Sequence, residues 1–193
     1  FYGDPNTSKN KMRSKWGAFL SDVDKFDAAF FGISPREADM MDPQHRLFLQ
    51  VAWHTIEDAG YDPGSLSGRK VGVFAGVQFN DYQALLSSDN IWNERVTTGC
   101  AHAMVANRVS YLLHLQFPSE AINTACSGAL IAVHRAVKAI QNGEAEMAIA
   151  GGVSLILSPY NMLSAGVLDI LAPDGRCKTF DKNANGYVKG EGV

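Results

Sequence analysis

Apolar and polar positions along this chain follow two different periods, and the changes of period mark its elements. Residues 1 to 18 hold no sustained period and are polar and turn-rich, and a short mixed stretch follows around Phe26 to Phe31. Ser34 and Glu37 form a capping-box pattern with Pro35 at the first helical position, which predicts a short helix. Asp42 and Pro43 repeat the start signal, and Leu47, Phe48, Val51, Ile56 and Ala59 fall at helical spacing up to a stop at Gly60, predicting an amphipathic helix. Val71 to Val77, VGVFAGV, is β-branched, apolar and punctuated by glycine, as expected of a strand buried on both faces. A second helix is predicted from about His102 to Leu113. After Pro118, a strand through Ala121 and Ile122 leads into Thr124, Ala125 and Cys126. Ala129, Leu130, Val133, Val137 and Ile140 then have helical period, ending at Asn142-Gly143, and Met147 to Val153, MAIAGGV, reads as another buried strand. Strands alternating with helices predict a layered α/β fold.

Composition narrows the class. The 193 residues are 46% hydrophobic and 19% charged, the balance of a globular chain. A chain of this length suits one domain and buries roughly 70% of the surface it exposes when unfolded. The 17 basic and 20 acidic residues leave a net charge of −3 without a run of like charges, which argues against nucleic acid or an anionic membrane as the main partner. The apolar stretches are too short to cross a bilayer and the N-terminus has no signal segment, so a cytoplasmic setting is expected. The chain starts at Phe1 without an initiator Met and stops after Gly190, Glu191 and Gly192, so it reads as a segment of something longer. No internal repeat or linker divides it.

Candidate chemistry concentrates at Cys126. The three cysteines, 26 and 51 residues apart, form neither a disulfide framework nor a metal-ligand set, and each is judged alone. Cys126 sits between a predicted strand and the first turn of a helix, close to the positive end of the helix dipole and to unpaired backbone N–H groups. That placement favours thiolate, and the same amides could hold the oxyanion of acyl transfer at a thioester carbonyl. Ala125, Ser127, Gly128 and Ala129 are small enough for a tight turn that leaves a substrate room. The competing reading, a small buried hydrophobe, stands beside it. Cys100 lacks a preceding strand and Cys177 lies in a Gly/Asp/Lys-rich loop, so both read as non-catalytic.

A nucleophile of this kind needs a base or proton carrier, and the five histidines supply none. His134, eight residues beyond Cys126 on the same predicted helix, is displaced by a rise of about 12 Å. His45 and His54, on another helix, read as surface or satisfied core residues rather than ligands. His102 and His114, near the ends of one helix, have no acidic partner at a telling spacing.

Four ordered segments carry a resemblance: FDAAFFGISPREADMMDPQHRLFLQVAWHTIEDAGYDP from Phe26 to Pro63, NTACSGALIAVHRAV from Asn123 to Val137, AIAGGV from Ala148 to Val153, and LAPDGRCKTFDKNANGYVKGEGV from Leu171 to Val193. In order and spacing they resemble the N-terminal part of a β-ketoacyl synthase, specifically the ketosynthase domain of a modular polyketide synthase. The first segment has the flavour of synthases served by separate acyltransferases. The resemblance implies a thiolase-like fold (layered α/β/α), of which residues 1–193 form the N-terminal half of a duplicated architecture. It also implies a homodimer that pairs the strand Ala121 to Ala125 across its interface, with a loop at Thr97, Thr98 and Gly99 reaching toward the partner's acyl pocket. It makes Cys126 the residue that accepts an acyl chain from the phosphopantetheine arm of an acyl carrier protein, with no metal or directly bound cofactor.

Two departures qualify the carry-over. Family members commonly place two or three serines after the cysteine, whereas Ser127 is followed here by Gly128 and Ala129. They also use two histidines, in His-Gly-Thr-Gly-Thr and Asn-x-Gly-His motifs, and an intervening lysine, none of which occurs in these 193 residues. The resemblance therefore implies a parent domain that condenses the acyl chain with a malonyl-type extender, and a chain that depends on the C-terminal half of its own domain. Alternatives stay open: condensation on coenzyme A as in thiolases, a non-elongating synthase that only transacylates, or a non-catalytic half-domain acting in binding or dimerisation.

Overall fold

The structure, a computed structural model, describes residues 1–4, 6–7, 9–91 and 93–193. The chain forms two compact units, one comprising Asp22–Ser154 with Gly192–Val193, the other Phe1–Ser21 with Leu155–Glu191.

The larger unit is built on three parallel strands. β1 (Val71–Val77) lies between β2 (Ser119–Ile122) and β3 (Met147–Val153), and Gly76 faces Ile122 on one side and Gly152 on the other. Parallel neighbours need crossover connections. Helices are labelled in chain order: α1 (Pro35–Ala38) and α2 (Pro43–Asp58) precede β1, while α3 (Asp81–Ser88), α4 (Glu94–Cys100) and α5 (Ala103–Leu112) connect β1 to β2 and α6 (Gly128–Gln141) connects β2 to β3. A 3-10 turn at Pro63–Leu66 precedes β1. Alternation along β1 sorts the layers. Val71, Val73, Ala75 and Val77 enter one core with Phe48, Leu49, Ala52 and Ile56 of α2 and Val105, Ala106 and Val109 of α5. Phe74 enters another with Ala132, Ala136 and Ala139 of α6. The expected layered α/β/α arrangement is therefore present, and each fully buried valine of β1 contributes roughly 1.5–3 kcal/mol.

Local signals place the helix ends where the sequence predicts them. Ser34 accepts from Glu37 N–H at 3.2 Å, while the Glu37 carboxylate, rather than closing the capping box, pairs with Arg108 of α5 at 2.6 Å. Asp42 Oδ1 caps α2 by accepting from Gln44 N–H at 2.8 Å, and Gly60 follows its end in the left-handed region at φ 81°. The mixed stretch becomes an aromatic clasp, with Phe26 stacked on Phe31 at 5.3 Å and Phe30 edge-on to Trp53 of α2 at 5.0 Å.

Three expectations are corrected, and the faces of α6 are a further finding. β3 is half-buried except at Val153, because it is an edge strand of the described sheet. The β2 strand ends at Ile122, not Ala125. Thr97, Thr98 and Gly99 are helical, in α4, where Gly99 packs so closely that a Cβ would stand 2.0 Å from Met40 O. On α6 the bulky periodic residues are not the inward face. Gly128, Ala132, Ala136 and Ala139 face the sheet, and Leu130, Val133, Val137 and Ile140 are exposed, as expected if part of this helix's apolar surface meets another partner.

The smaller unit contains α7 (Pro159–Val167) and pairs of extended segments, Ala18 with Gly190 and Leu171 with Tyr187. Met162, Ala165 and Leu171 form its core with Met12 and Ile156. The Glu191 carboxylate ties two segments together, accepting from Leu20 N–H at 2.9 Å and Ile156 N–H at 2.8 Å.

Candidate active site

Cys126 lies just beyond the carboxyl end of β2, the edge at which parallel α/β sheets usually bind ligands. The turn that carries it is built from short-range bonds. Asn123 Oδ1 accepts from Ala125 N–H at 3.2 Å, an Asx turn, and Ser127 Oγ donates to Thr124 O at 2.8 Å. Between them Ala125 takes φ 52°, a left-handed conformation that a residue with a Cβ adopts at some cost. Gly128 N–H then donates to Ala125 O at 3.0 Å and Ile131 N–H to Ser127 O at 2.9 Å, so the helix begins at once. The Ser127 side chain does not cap α6. The Gly128 amide is thus taken within the turn, and no side chain caps the first turn of the helix, which starts beside the exposed Cys126.

Glycines set how near this turn sits to the sheet. A Cβ on Gly76 would stand 2.6 Å from Ala129 N and 2.7 Å from Gly128 C, and one on Gly152 would stand 2.8 Å from Ala129 Cβ. Gly76 and Gly152 are register partners on β1 and β3, so together they form the floor on which the start of α6 rests. In the sequence both glycines merely punctuate apolar strands. The signal that could have found their role is a glycine at the carboxyl end of each of two such strands. Arg135 of α6 adds a two-pronged pair with Glu120 of β2, at 2.8 and 3.1 Å.

The structure sorts the remaining candidates. Cys100 is buried at the end of α4, and burial, helped by Asp42, pushes its thiol up to about 11, a poor nucleophile. Cys177 is exposed, with its sulfur accepting from Val188 N–H at 3.3 Å. His134 does lie on α6, eight residues past Cys126. His54 is a surface residue paired with Glu57 at 3.3 Å. Among the described residues, no histidine hydrogen-bonds Cys126.

His45 departs from expectation. It is a core residue but not a satisfied one: neither ring nitrogen has a hydrogen-bond partner among the described residues. Burial, then the charges of Arg108, His102 and Arg46, pull its pKa down to about 3, so it is neutral at physiological pH. Its neighbours form a polar hub of which the sequence shows only the helix start. Gln44 Nε2 donates to Asp42 Oδ2 at 3.2 Å and to Phe79 O at 2.9 Å, and His102 Nε2 lies 3.2 Å from the same carbonyl. Two side chains thus fix the segment that follows β1. Burial raises the Asp42 carboxyl above its ordinary value.

The whole chain, residues 1–193, matches the family described as "Beta-ketoacyl synthase, N-terminal domain". It is 45% identical over its full length to a component of the phenolphthiocerol/phthiocerol polyketide synthase of Mycobacterium tuberculosis, of which it spans 11%. It is 46% identical to the polyketide synthase PksM of Bacillus subtilis, of which it spans 4%. Among solved structures, the ketosynthase from module 6 of the bacillaene synthase of Bacillus subtilis superposes with a TM-score of 0.86 at 41% identity, covering 98% of this chain and 31% of that one. An oxazolomycin ketosynthase domain of Streptomyces albus gives the same TM-score and identity, with 96% and 33% covered. The fold is therefore the thiolase-like fold of ketosynthases, and the chain belongs to the β-ketoacyl synthase family as its N-terminal domain.

Proposed function

We propose that this chain forms part of a polyketide ketosynthase in which Cys126 carries the growing acyl group. In the first half-reaction the Cys126 sulfur attacks the thioester carbonyl of an acyl group held on the phosphopantetheine arm of an acyl carrier protein, and the pantetheine thiolate leaves. In the second, a malonyl-type extender on a carrier protein loses CO2, its carbanion forms a C–C bond to the Cys126 thioester carbonyl, and the Cys126 thiolate is released with a β-ketoacyl product. The backbone N–H of Cys126 supplies part of the oxyanion hole. The extender's enolate is stabilised by histidines from the C-terminal half of the parent domain, the half whose motifs do not occur in these 193 residues. The scheme uses no metal and no directly bound cofactor. In this reading the domain works in the cytoplasm as a homodimer joined through β2, and the position of β2 at the edge of the described sheet supports that joint.

The observation that carries the reading is the exposed thiol of Cys126, on a tight turn between the carboxyl end of a parallel strand and an uncapped helix. Mass spectrometry of the intact parent domain, incubated with an acyl carrier thioester, tests it. A covalent acyl adduct on Cys126, abolished by Cys126→Ala, is expected. Acylation elsewhere would sink the assignment, and an adduct that never condenses would make the domain a transacylase.

A further inference from the structure

One backbone carbonyl of the larger unit takes two side-chain donors from different helices. Phe79 O accepts from Gln44 Nε2, in the first turn of α2, at 2.9 Å, and lies 3.2 Å from His102 Nε2, at the N-cap of α5. Both donors have a fixed orientation. A carbonyl oxygen only accepts, so His102 Nε2 carries the proton. The other Gln44 Nε2 proton goes to Asp42 Oδ2 at 3.2 Å, and an acceptor there holds the amide with its nitrogen, not its oxygen, toward Phe79. Asp42 and Gln44 are buried, and burial raises the Asp42 carboxyl, so these polar groups are kept from water at a cost in solvation. The helices that carry the donors are also tied to each other and to the chain beyond Phe79. Asp42 N–H donates to Gly99 O at 2.9 Å, three residues before His102, and Tyr82 Oη donates to Asp39 O at 2.6 Å.

What this clamp holds is the half-buried stretch 78–80, just beyond the end of β1. In the described sheet β1 is the neighbour of β2, about 4.8 Å away, and Cys126 follows the end of β2. The two strand ends meet at one point. Gly76 lies so near the start of α6 that a Cβ on it would stand 2.7 Å from Gly128 C. Phe79 is three residues past Gly76 and Cys126 two residues before Gly128, so the clamped stretch and the nucleophile turn leave the sheet side by side. A group bound outside the carboxyl end of β2 therefore has stretch 78–80 as its neighbour on the side of β1.

We propose that Gln44 and His102 are positioning residues for acyl transfer at Cys126: acting through the Phe79 carbonyl, they hold residues 78–80 as the wall along which the acyl chain of the thioester lies. The proposal rests on the acyl-accepting reading of Cys126. One donor satisfies a buried carbonyl, whereas a second, from another helix, also stops the peptide from swinging about the first. Both side chains act through backbone and not on the reacting atoms, so what they set is placement, and a misplacement of about 1 Å in a group that orients substrate costs up to about a hundredfold in rate. The effect depends on chain length. A two-carbon acyl group ends close to the sulfur, while an eight-carbon chain has to run along the wall.

The test is loading of Cys126 in the intact parent domain from acetyl- and octanoyl-N-acetylcysteamine, read by intact mass, beside the rate at which iodoacetamide alkylates Cys126. Gln44→Met keeps the length of the side chain without its donors, His102→Leu removes the second donor, and His102→Gln restores one. Gln44→Met and His102→Leu are each expected to lower kcat/KM for octanoyl loading by roughly tenfold, acetyl loading by less than about threefold and alkylation by less than about twofold, and His102→Gln to recover most of the octanoyl loss. Should Gln44→Met not fold, the two His102 variants decide on the same readouts. A wild type that loads neither donor would defeat the reading of Cys126 and the clamp together. Normal loading by the wild type with unchanged octanoyl loading in the variants overturns the clamp alone. So does an equal loss with both donors and iodoacetamide, which marks a merely structural role, or a His102→Gln variant no better than His102→Leu. A wild type that loads acetyl but not octanoyl leaves no chain along that wall and overturns the clamp as well.

Discussion

At the scale of single residues, the cysteines differ by environment rather than by neighbours in sequence. Cys100 has its sulfur in a buried cluster with Leu86 and Val96, and its raised pKa leaves almost no thiolate at neutral pH. Brief iodoacetamide treatment followed by peptide mapping is expected to label Cys126 first and Cys100 last; preferential labelling of Cys177 would count heavily against the site. His45 gives a second residue-scale prediction, in pH. Its imidazole takes a proton near 6.5 when unfolded but only near 3 when folded. Below about pH 6.5 the unfolded chain therefore binds a proton that the folded chain refuses, and unfolding gains about 1.4 kcal/mol per pH unit from this group until the folded pKa is reached. Asp42 acts in the opposite sense, since a raised carboxyl pKa favours the folded state as pH falls through it. The urea midpoint is expected to fall between pH 7 and 5, and less steeply in His45→Gln; equal slopes would show that His45 is solvated.

At the scale of elements, the position of Cys126 depends on how closely α6 lies over β1 and β3. A methyl group at Gly76 would meet backbone atoms of Gly128 and Ala129, which cannot rotate aside as a side chain would. Gly76→Ala is expected to cost about 1–3 kcal/mol of stability in urea unfolding. It should also reduce Cys126 loading in the parent domain by more than the unfolded fraction explains, because the turn itself is displaced. Loading that tracks the unfolded fraction alone would mean that the turn tolerates the shift. This packing also marks where the sequence stops being legible. The starts of α1 and α2 and the stop at Gly60 are readable because each is a bond between a side chain and backbone two or three residues away, or a local φ. The inward face of α6 is not, because alanines face the sheet only on account of glycines some 50 residues upstream and some 20 downstream, and periodicity weighs Leu130 and Val137 above Ala132. The α4 helix and the burial of His45 escape a sequence reading for the same reason: Gly99 and His45 are held by tertiary packing that leaves no local pattern.

At the scale of the whole molecule, the outward face of α6 becomes the central fact. Leu130, Val133, Val137 and Ile140 follow one another at three- and four-residue steps, so they form a continuous apolar stripe, with Leu130 75% and Val137 44% exposed. Soluble monomers rarely leave contiguous apolar patches beyond a few hundred Å2 uncovered. The chain covers 31% of the solved bacillaene ketosynthase chain it superposes on. The 193-residue chain by itself is therefore expected to self-associate in sedimentation velocity and to give no condensed product by mass spectrometry when supplied with acyl-carrier and malonyl-carrier substrates. Turnover by the isolated chain would mean that its own residues supply the base, and His102, beside the Phe79 carbonyl, would be the first to replace. The stripe itself can be separated from this question with Leu130→Lys/Val137→Lys. In the isolated chain these positions face outward, so the pair is expected to reduce self-association and shift Tm little. In the intact domain the same lysines would be buried against the second half without partners, and Tm should fall by several degrees. A parent domain indifferent to both substitutions would show that the face of α6 opposite the nucleophile's sheet stays in solvent.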